Sequence, residues 1–260
     1  MRSLLVMLLT ISVVIYPGSA FSAEEELINI AILDTGISQH DDLTIQEGVS
    51  FLEVEPTYND KNGHGTHIAG IIHTIAPNTA LYPVKVLDKD KKGKVSFLIK
   101  GIEWAIENEM DIVSISLTTS QNSEKLQDAI QKAAAAGIVL VAAVGNHGDT
   151  VKYPAAYEEV VAVGAVDDKN KIASWSNTGK QLDVVAPGVT IKSTYLNNGY
   201  AKMSGTSMAA AYTTGVLALL KEKNPDSTSE ELKDLLIENS LDLGAAGFDN
   251  VYGFGLVQMP

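Results

Sequence analysis

The chain has 260 residues, a formal net charge of −13 and no cysteine. This length suits a single α/β domain with a large buried core, and the negative charge disfavours nucleic acid and anionic membrane surfaces as partners. Disulfides, thiolate metal sites and cysteine nucleophiles are excluded by the absence of cysteine.

The amino terminus has the pattern of a secretory signal. Arg2 precedes an apolar run at 4–16, and small residues follow, with Ala20 and Ser22 fitting the rule for signal peptidase cleavage. The run is short for a membrane span, although an uncleaved anchor is the alternative. We expect residues 1–22 to be removed and residues 23–260 to form one secreted, monomeric domain without a membrane partner.

Strands and helices alternate along the rest of the chain. Strands are predicted at 28–33, 80–87, 111–117, 138–144, 160–166 and 182–186, and helices from 64 onward, around 99–106, at 124–136, from 207 onward and at 229–239. Because alternating elements of this kind build parallel sheets, we predict an α/β, doubly wound, mostly parallel sheet with helices on both faces.

Asp34 directly follows the first predicted strand, and Thr35 and Gly36 end that strand in a tight turn. Functional groups in open parallel sheets collect just beyond the carboxyl ends of strands, which makes Asp34 a candidate. An aspartate that only caps the turn is an equally good interpretation of this stretch.

His64 lies between two glycines at the start of a predicted helix, and His67 follows on the same helix. A metal-binding pair is one interpretation. Metal hydrolases usually space such histidines by about four residues with a glutamate between them, and neither feature is present. The flanking glycines favour close backbone approach around an accessible imidazole.

Ser207 falls in the first turn of an alanine-rich helix, where unpaired N–H groups and the helix dipole favour negative charge. A simple helix cap is the alternative. Asn146 follows another buried strand, and its carboxamide is a possible donor to an oxyanion. Together with Asp34 and His64, these residues supply the nucleophile, base, orienting carboxylate and oxyanion donor of serine hydrolysis.

Over residues 27–258 the sequence resembles the subtilisin family of serine proteases, the subtilases. The motifs that carry the resemblance are AILDTGI at 31–37, HGTHIAG at 64–70, AAVGN at 142–146, APG at 186–188, GTSMA at 205–209 and YGFGLV at 252–257. It implies a single-domain subtilisin-like fold and a secreted serine endopeptidase that cleaves peptides or proteins through an acyl-enzyme.

The resemblance also implies roles for individual residues. Ser207 is the nucleophile, His64 the general base and then acid, Asp34 the orienting carboxylate and Asn146 the oxyanion donor, while His67 is structural. The substrate-binding residues it implies, by position in the cleft, are Gly93, Ser116, Leu117, Thr118, Gly145 and Lys152. A non-catalytic binding or scaffold protein on the same fold is the competing hypothesis.

Two segments typical of the family are not recognisable in the sequence. No prodomain is evident between the signal and the first strand, and the helix from His67 runs directly into Pro77 where the family often inserts a calcium loop. Asp42 resembles one calcium ligand, but calcium takes six to eight oxygens. We expect that the protein requires no cofactor and has no strong calcium site at this position. A weaker cation site elsewhere in the chain is the alternative that we leave open.

The predicted substrate cleft departs from the family in two ways. Thr118 and Thr119 replace glycines of the family's Ser-Leu-Gly-Gly segment and should narrow the pocket for P1, the residue before the scissile bond. Lys152 is placed near the floor of that pocket and His147 at its rim, while lysines flank the strand that pairs with substrate, namely Lys89, Lys91, Lys92 and Lys94. We hypothesise a preference for acidic substrate residues and a role as a dedicated maturation protease; the alternative is a solvated lysine turn.

Overall fold

The computed structural model describes residues 27–260, so the predicted signal peptide at 1–22 lies outside the described residues. The strands are β1 Ile28–Asp34, β2 Val49–Ser50, β3 Thr79–Lys85, β4 Ile112–Ile115, β5 Val139–Ala143, β6 Val160–Val166, β7 Val184–Pro187, β8 Ile191–Tyr195 and β9 Gly199–Met203. The helices are α1 His64–Ile75, α2 Val95–Glu107, α3 Glu124–Ala135, α4 Thr206–Lys223 and α5 Ser229–Glu238.

The central sheet has seven strands in the order β2-β3-β1-β4-β5-β6-β7, and every neighbouring pair is parallel. This confirms the predicted doubly wound α/β architecture. The antiparallel hairpin β8–β9 lies outside this sheet. The sequence prediction missed it, although Asn197 and Asn198 in its turn both have positive φ, at 57° and 56°, as asparagine tolerates better than most residues.

Helices cover both faces of the sheet. In β1, Ile30 and Ile32 face the layer formed by α1, α4 and α5, whereas Ala31 and Leu33 face α2 and α3. Successive side chains of a strand point to opposite faces, so a strand buried on both sides must be apolar throughout. Each large aliphatic side chain buried in this way contributes about 1.5–3 kcal/mol to folding.

The strand order reverses at β1, which has β3 on one side and β4 on the other. The chain leaves β1 through α1 to reach β3, and returns through α2 to β4. A crevice opens at such a switch point, outside the carboxyl ends of the strands. Asp34 is the last residue of β1, and Ser116 follows β4, so both lie at this crevice.

The predicted strand at 111–117 is longer than the observed Ile112–Ile115, because its last residues leave the sheet to line the crevice. Within residues 27–260, no helix combines the length and the apolarity needed to cross a bilayer.

Helices α1 and α4 pack closely where Gly215 faces Ile75. A Cβ at position 215 would lie 2.8 Å from both Cβ and Cγ2 of Ile75. We therefore expect Gly215→Ala to lower the free energy of unfolding by about 1–3 kcal/mol, despite the better helix propensity of alanine. Chemical denaturation measures this change.

The matched control is Glu222→Ala, at an exposed position of the same helix. Surface substitutions of this kind usually stay within about 0.5 kcal/mol of the parent protein. A Gly215→Ala protein that is as stable as the control would contradict the close approach of the two helices.

Candidate active site

Asp34 and His64 form a buried pair at the crevice. The Nδ1 atom of His64 lies 2.8 Å from both Oδ1 and Oδ2 of Asp34, and the two residues are 0% and 5% exposed. The backbone N–H of Thr35 also donates to Asp34 Oδ1, at 2.7 Å. A carboxylate accepts only, so the Nδ1 atom of His64 carries the proton and its Nε2 atom keeps a lone pair to accept one.

The carboxylate of Asp60 holds the turn that leads into α1 and therefore positions His64. Its Oδ1 accepts from the N–H groups of Asn62 and Gly63, at 2.8 and 2.9 Å. Its Oδ2 accepts from the N–H and hydroxyl of Thr66, at 3.0 and 2.7 Å. The sequence prediction missed Asp60, because its hydrogen bonds to this turn can be seen only in the folded structure.

The turn also needs glycine beside the histidine. A Cβ at Gly65 would lie 2.1 Å from the carbonyl oxygen of Gly36, which is backbone that cannot swing aside. The close approach of α1 to the end of β1 brings the imidazole against the Asp34 carboxylate. Gly65 thus serves the close backbone approach expected from the sequence.

Ser207 lies in the first turn of α4 and is 7% exposed. Its hydroxyl donates to the carbonyl oxygen of Ser116, at 3.4 Å. Ser207 and His64 line the same cavity. In serine hydrolases the contact between base and nucleophile often tightens only when substrate is bound, and the hydroxyl reorients by rotation about one bond.

Thr206 fixes the orientation of the Asn146 side chain. Asn146 Oδ1 accepts from the backbone N–H and from the hydroxyl of Thr206, both at 2.9 Å. The Thr206 hydroxyl in turn accepts from the N–H of Gly145, at 3.2 Å. A backbone N–H is always a donor, so the Asn146 atom that faces the Thr206 N–H must be the acceptor Oδ1. The Nδ2 group of Asn146 is therefore left as a donor at the cavity.

The fully buried Asn177 supports the loop that carries Asn146. Its Nδ2 donates to the carbonyls of Val144 and Thr150, at 3.0 and 2.9 Å, and its Oδ1 accepts from the N–H groups of His147 and Asp149, at 2.9 and 3.1 Å. Nothing in the local sequence of Asn177 signals this role, since its partners are about thirty residues away.

The cavity at the crevice has a volume of about 620 Å³. Four of the predicted substrate-binding residues line it, together with the predicted rim residue His147 and three lysines: Gly93, Ser116, Leu117 and Thr118, with Lys91, Lys92 and Lys94. The lining does not include Gly145 or Lys152. The N–H of Gly145 donates to the Thr206 hydroxyl, and the ammonium of Lys152 pairs with Asp149 at 2.7 Å.

His67 faces away from His64. Its Nε2 lies 3.1 Å from the carbonyl oxygen of Ile191 and 3.2 Å from that of Ala201, so the imidazole ties α1 to the β8–β9 hairpin. Both acceptors are carbonyls, which requires the proton on Nε2. This geometry agrees with a structural role for His67 and does not form a metal pair with His64.

The carboxylate of Asp42 contacts the β8–β9 hairpin. Its Oδ2 accepts a hydrogen bond from the Tyr200 hydroxyl, and α1 runs through the region where the family often inserts a loop. In the part of the chain that the structure describes, no group of three histidine or acidic side chains is placed to hold a metal ion.

Asp34 and His64 are in contact, and Ser207 lines the same cavity. This chain order of aspartate, histidine and serine on a parallel α/β sheet is the order of one class of serine hydrolases and differs from the orders of the others. The model of the subtilase family matches residues 26–255. The chain belongs to this family.

Three relatives illustrate the similarity. Minor extracellular protease Epr of Bacillus subtilis (strain 168) is 47% identical over 242 residues, which cover 89% of this chain and 38% of that protein. The thermostable alkaline protease of Halalkalibacterium halodurans is 44% identical over 238 residues, 88% of this chain and 65% of that protein. Subtilisin Savinase of Lederbergia lenta is 43% identical over 240 residues, 88% of each chain. The chain spans less than two thirds of the length of the first two relatives.

Burial lowers the pKa of His67, and the hydrogen bonds to Ala201 and Ile191 offset this only in part. As pH falls below about 6.5, the unfolded chain therefore takes up a proton before the folded one does. We expect the free energy of unfolding to fall from pH 7 to pH 5, and His67→Gln to reduce that fall. Denaturant titrations at both pH values measure it. An unchanged fall in His67→Gln would contradict the neutral buried imidazole.

Proposed function

We propose that the chain is a serine endopeptidase that hydrolyses peptide bonds through an acyl-enzyme. The observation that carries this proposal is the contact of both Asp34 carboxylate oxygens with His64 Nδ1, at 2.8 Å, on the cavity that Ser207 also lines. The subtilase membership of the chain supports the same reaction.

In the proposed reaction, the Ser207 oxygen bonds to the carbonyl carbon of the substrate and its proton passes to His64 Nε2. The negative charge that develops on the carbonyl oxygen is stabilised by Asn146 Nδ2 and by the N–H of Ser207. The imidazolium, stabilised by Asp34, then protonates the amine as the C–N bond breaks. His64 then removes a proton from a water molecule, whose oxygen bonds to the acyl carbon. The ester bond to Ser207 breaks, the carboxylic acid product leaves, and His64 returns the proton to the Ser207 oxygen.

The substrates we propose are peptides or proteins that reach the enzyme outside the cytoplasm. The apolar run and small residues of the amino terminus support export, and Epr is described as an extracellular protease. The threonines at 118 and 119 leave less room than glycines would and so favour a narrow set of substrates, as a maturation protease has.

Substitution of the proposed groups separates chemistry from folding. We expect Ser207→Ala to abolish turnover, and Asn146→Ala to lower kcat by about a hundredfold or more with little change in KM, because the oxyanion forms only after binding. Steady-state kinetics measure both, and thermal unfolding checks the fold. An Asn146→Ala enzyme with the parent kcat would contradict the oxyanion assignment.

A fluorophosphonate probe distinguishes the enzyme from a scaffold on the same fold. The wild-type chain should form an adduct at Ser207, detected by mass spectrometry, and Ser207→Ala should not. A folded wild-type chain without the adduct would favour the non-catalytic binding protein.

We further propose that the cleft prefers acidic substrate residues at or upstream of the cleavage site. Lys91, Lys92 and Lys94 line the cavity, on a chain whose net charge is −13. Within residues 27–260, the lysines that form ion pairs are not these three but Lys85, Lys89, Lys152 and Lys233. The carboxylate of Asp88 accepts from the N–H groups of Asp90 and Lys92, at 2.8 and 2.9 Å, which fixes the loop that presents these charges.

A peptide library varied from P1 to P4 tests this preference. We expect a gain in kcat/KM of about fivefold for Asp or Glu at a position that contacts the lysines, corresponding to about 1 kcal/mol for a partly exposed pair. Lys92→Ala should reduce this gain and added salt should weaken it. Lys152→Ala should change it less, since that ammonium already pairs with Asp149.

The matched control is Lys169→Ala, an exposed position in the turn after β6. It removes the same charge away from the cavity and should leave the library profile unchanged. No preference for acidic residues in the parent enzyme, or an equal loss in the control, would reject the hypothesis.

A further inference from the structure

A buried ion pair lies beside the site, and the reaction as described does not use it. Lys85, the last residue of β3, is 0% exposed, and its Nζ lies 3.1 Å from Glu55 Oε2. Removing both charges from water is costly, and their attraction often fails to offset that cost. The burial of the pair does not by itself show that it stabilises the fold.

Lys85 holds the residue that orients the proposed catalytic carboxylate. Its ammonium donates to the carbonyl oxygen of Thr35, at 2.5 Å. Thr35 in turn donates its N–H to Asp34 Oδ1, and its hydroxyl accepts from the N–H of Gly65 at 3.0 Å. The Thr35 peptide thus joins the end of β1 to the start of α1, and Lys85 fixes that junction from behind.

Glu55 connects the same ion pair to the wall of the cleft. Its Oε1 accepts from the backbone N–H of Lys89, at 3.3 Å. Lys89 begins the loop whose residues 91–94 line the cavity. One carboxylate therefore contacts both the cleft loop and the lysine that holds Thr35.

A second set of hydrogen bonds begins at the carbonyl group of Lys89. The carbonyl oxygen of Lys89 accepts from Asn62 Nδ2, at 2.7 Å, and Asn62 Oδ1 accepts from the N–H of His64, at 3.2 Å. The side chains of Glu55 and Asn62 thus hold the two peptide groups of Lys89. The contacts of Glu55 lead to Asp34, and those of Asn62 lead to the backbone of His64. The Asp34 carboxylate and the backbone of His64 are therefore both connected to Lys89, in the loop whose residues 91–94 line the cavity.

We propose that Glu55 is a positioning residue that couples occupation of the cleft loop to the placement of Asp34 against His64. A substrate seated against residues 91–94 restrains Lys89, and Glu55, Lys85 and Thr35 transmit that restraint to the carboxylate. The inference rests on the proposed peptidase function. Its consequence is that the binding energy of a longer substrate appears in kcat as well as in KM.

The test compares a tetrapeptide anilide, which reaches residues 91–94, with a one-residue anilide that has the same P1 residue and leaving group. Glu55→Gln keeps an acceptor for the Lys89 N–H and removes the charge that faces Lys85. We expect kcat for the tetrapeptide to fall about tenfold, as for a loss of orientation. The kcat for the short substrate should change less than about twofold.

The matched control is Asp90→Asn, which alters the exposed pair between Lys89 Nζ and Asp90, 3.2 Å apart on the same loop. It should leave the ratio of the two kcat values unchanged. A folded Glu55→Gln enzyme with the parent ratio would overturn the inference, and so would an equal fall for both substrates, which marks a structural role only.

A second variant covers the case in which Glu55→Gln does not fold because it leaves Lys85 charged and unpaired. Glu55→Gln with Lys85→Met removes both charges and should show the same loss of the kcat ratio. Failure of the wild-type chain to cleave either anilide would count against the proposed function itself. A normal wild-type ratio that persists in the folded variants would reject the coupling alone.

Discussion

A buried carboxylate facing a single imidazole N–H is the constraint around which this molecule is built. An ionised aspartate with no exposed surface is tolerable only if hydrogen bonds replace the lost water. Asp34 obtains them from His64 and from the Thr35 backbone. These donors require the end of β1 and the start of α1 to meet closely, which explains the tight turn, the glycine at 65 and the anchoring of that turn by Asp60.

The other half of the site depends on a similar arrangement with neutral groups. The amide of Asn146 acts as a cap for the first N–H of α4, and Thr206 determines which end of that amide faces the cavity. Asn177 satisfies the backbone of the intervening loop without any charge. In the proposed reaction, donors prepared in this way need no reorganisation when negative charge develops on the substrate, which is the main advantage of such a site over water.

The sequence was sufficient for the parts of this architecture that local patterns encode. Periodicity and the known crevice of parallel sheets predicted the apolar strands, the helix start at His64, the place of Ser207 in the first turn of a helix and the position of Asp34 at a strand end. Asn177 and the Glu55–Lys85 pair could not be predicted in this way, because their importance lies in contacts between distant segments. Asp60 could not either, because its local hydrogen bonds form only in the folded turn before α1. The ion pair of Lys152 with Asp149 also did not follow from the sequence, because it depends on the conformation of a loop that the family motifs do not determine.

The close packing of α1 against α4 has a consequence for how the site tolerates motion. His64 and Ser207 occupy the first turns of these two helices, and Gly215 and Ile75 press the helices together. The spacing of the two residues is therefore a property of the hydrophobic layer rather than of a surface loop. A change in the spacing of the two helix starts would require movement within this buried apolar layer, which opens less readily than a surface loop.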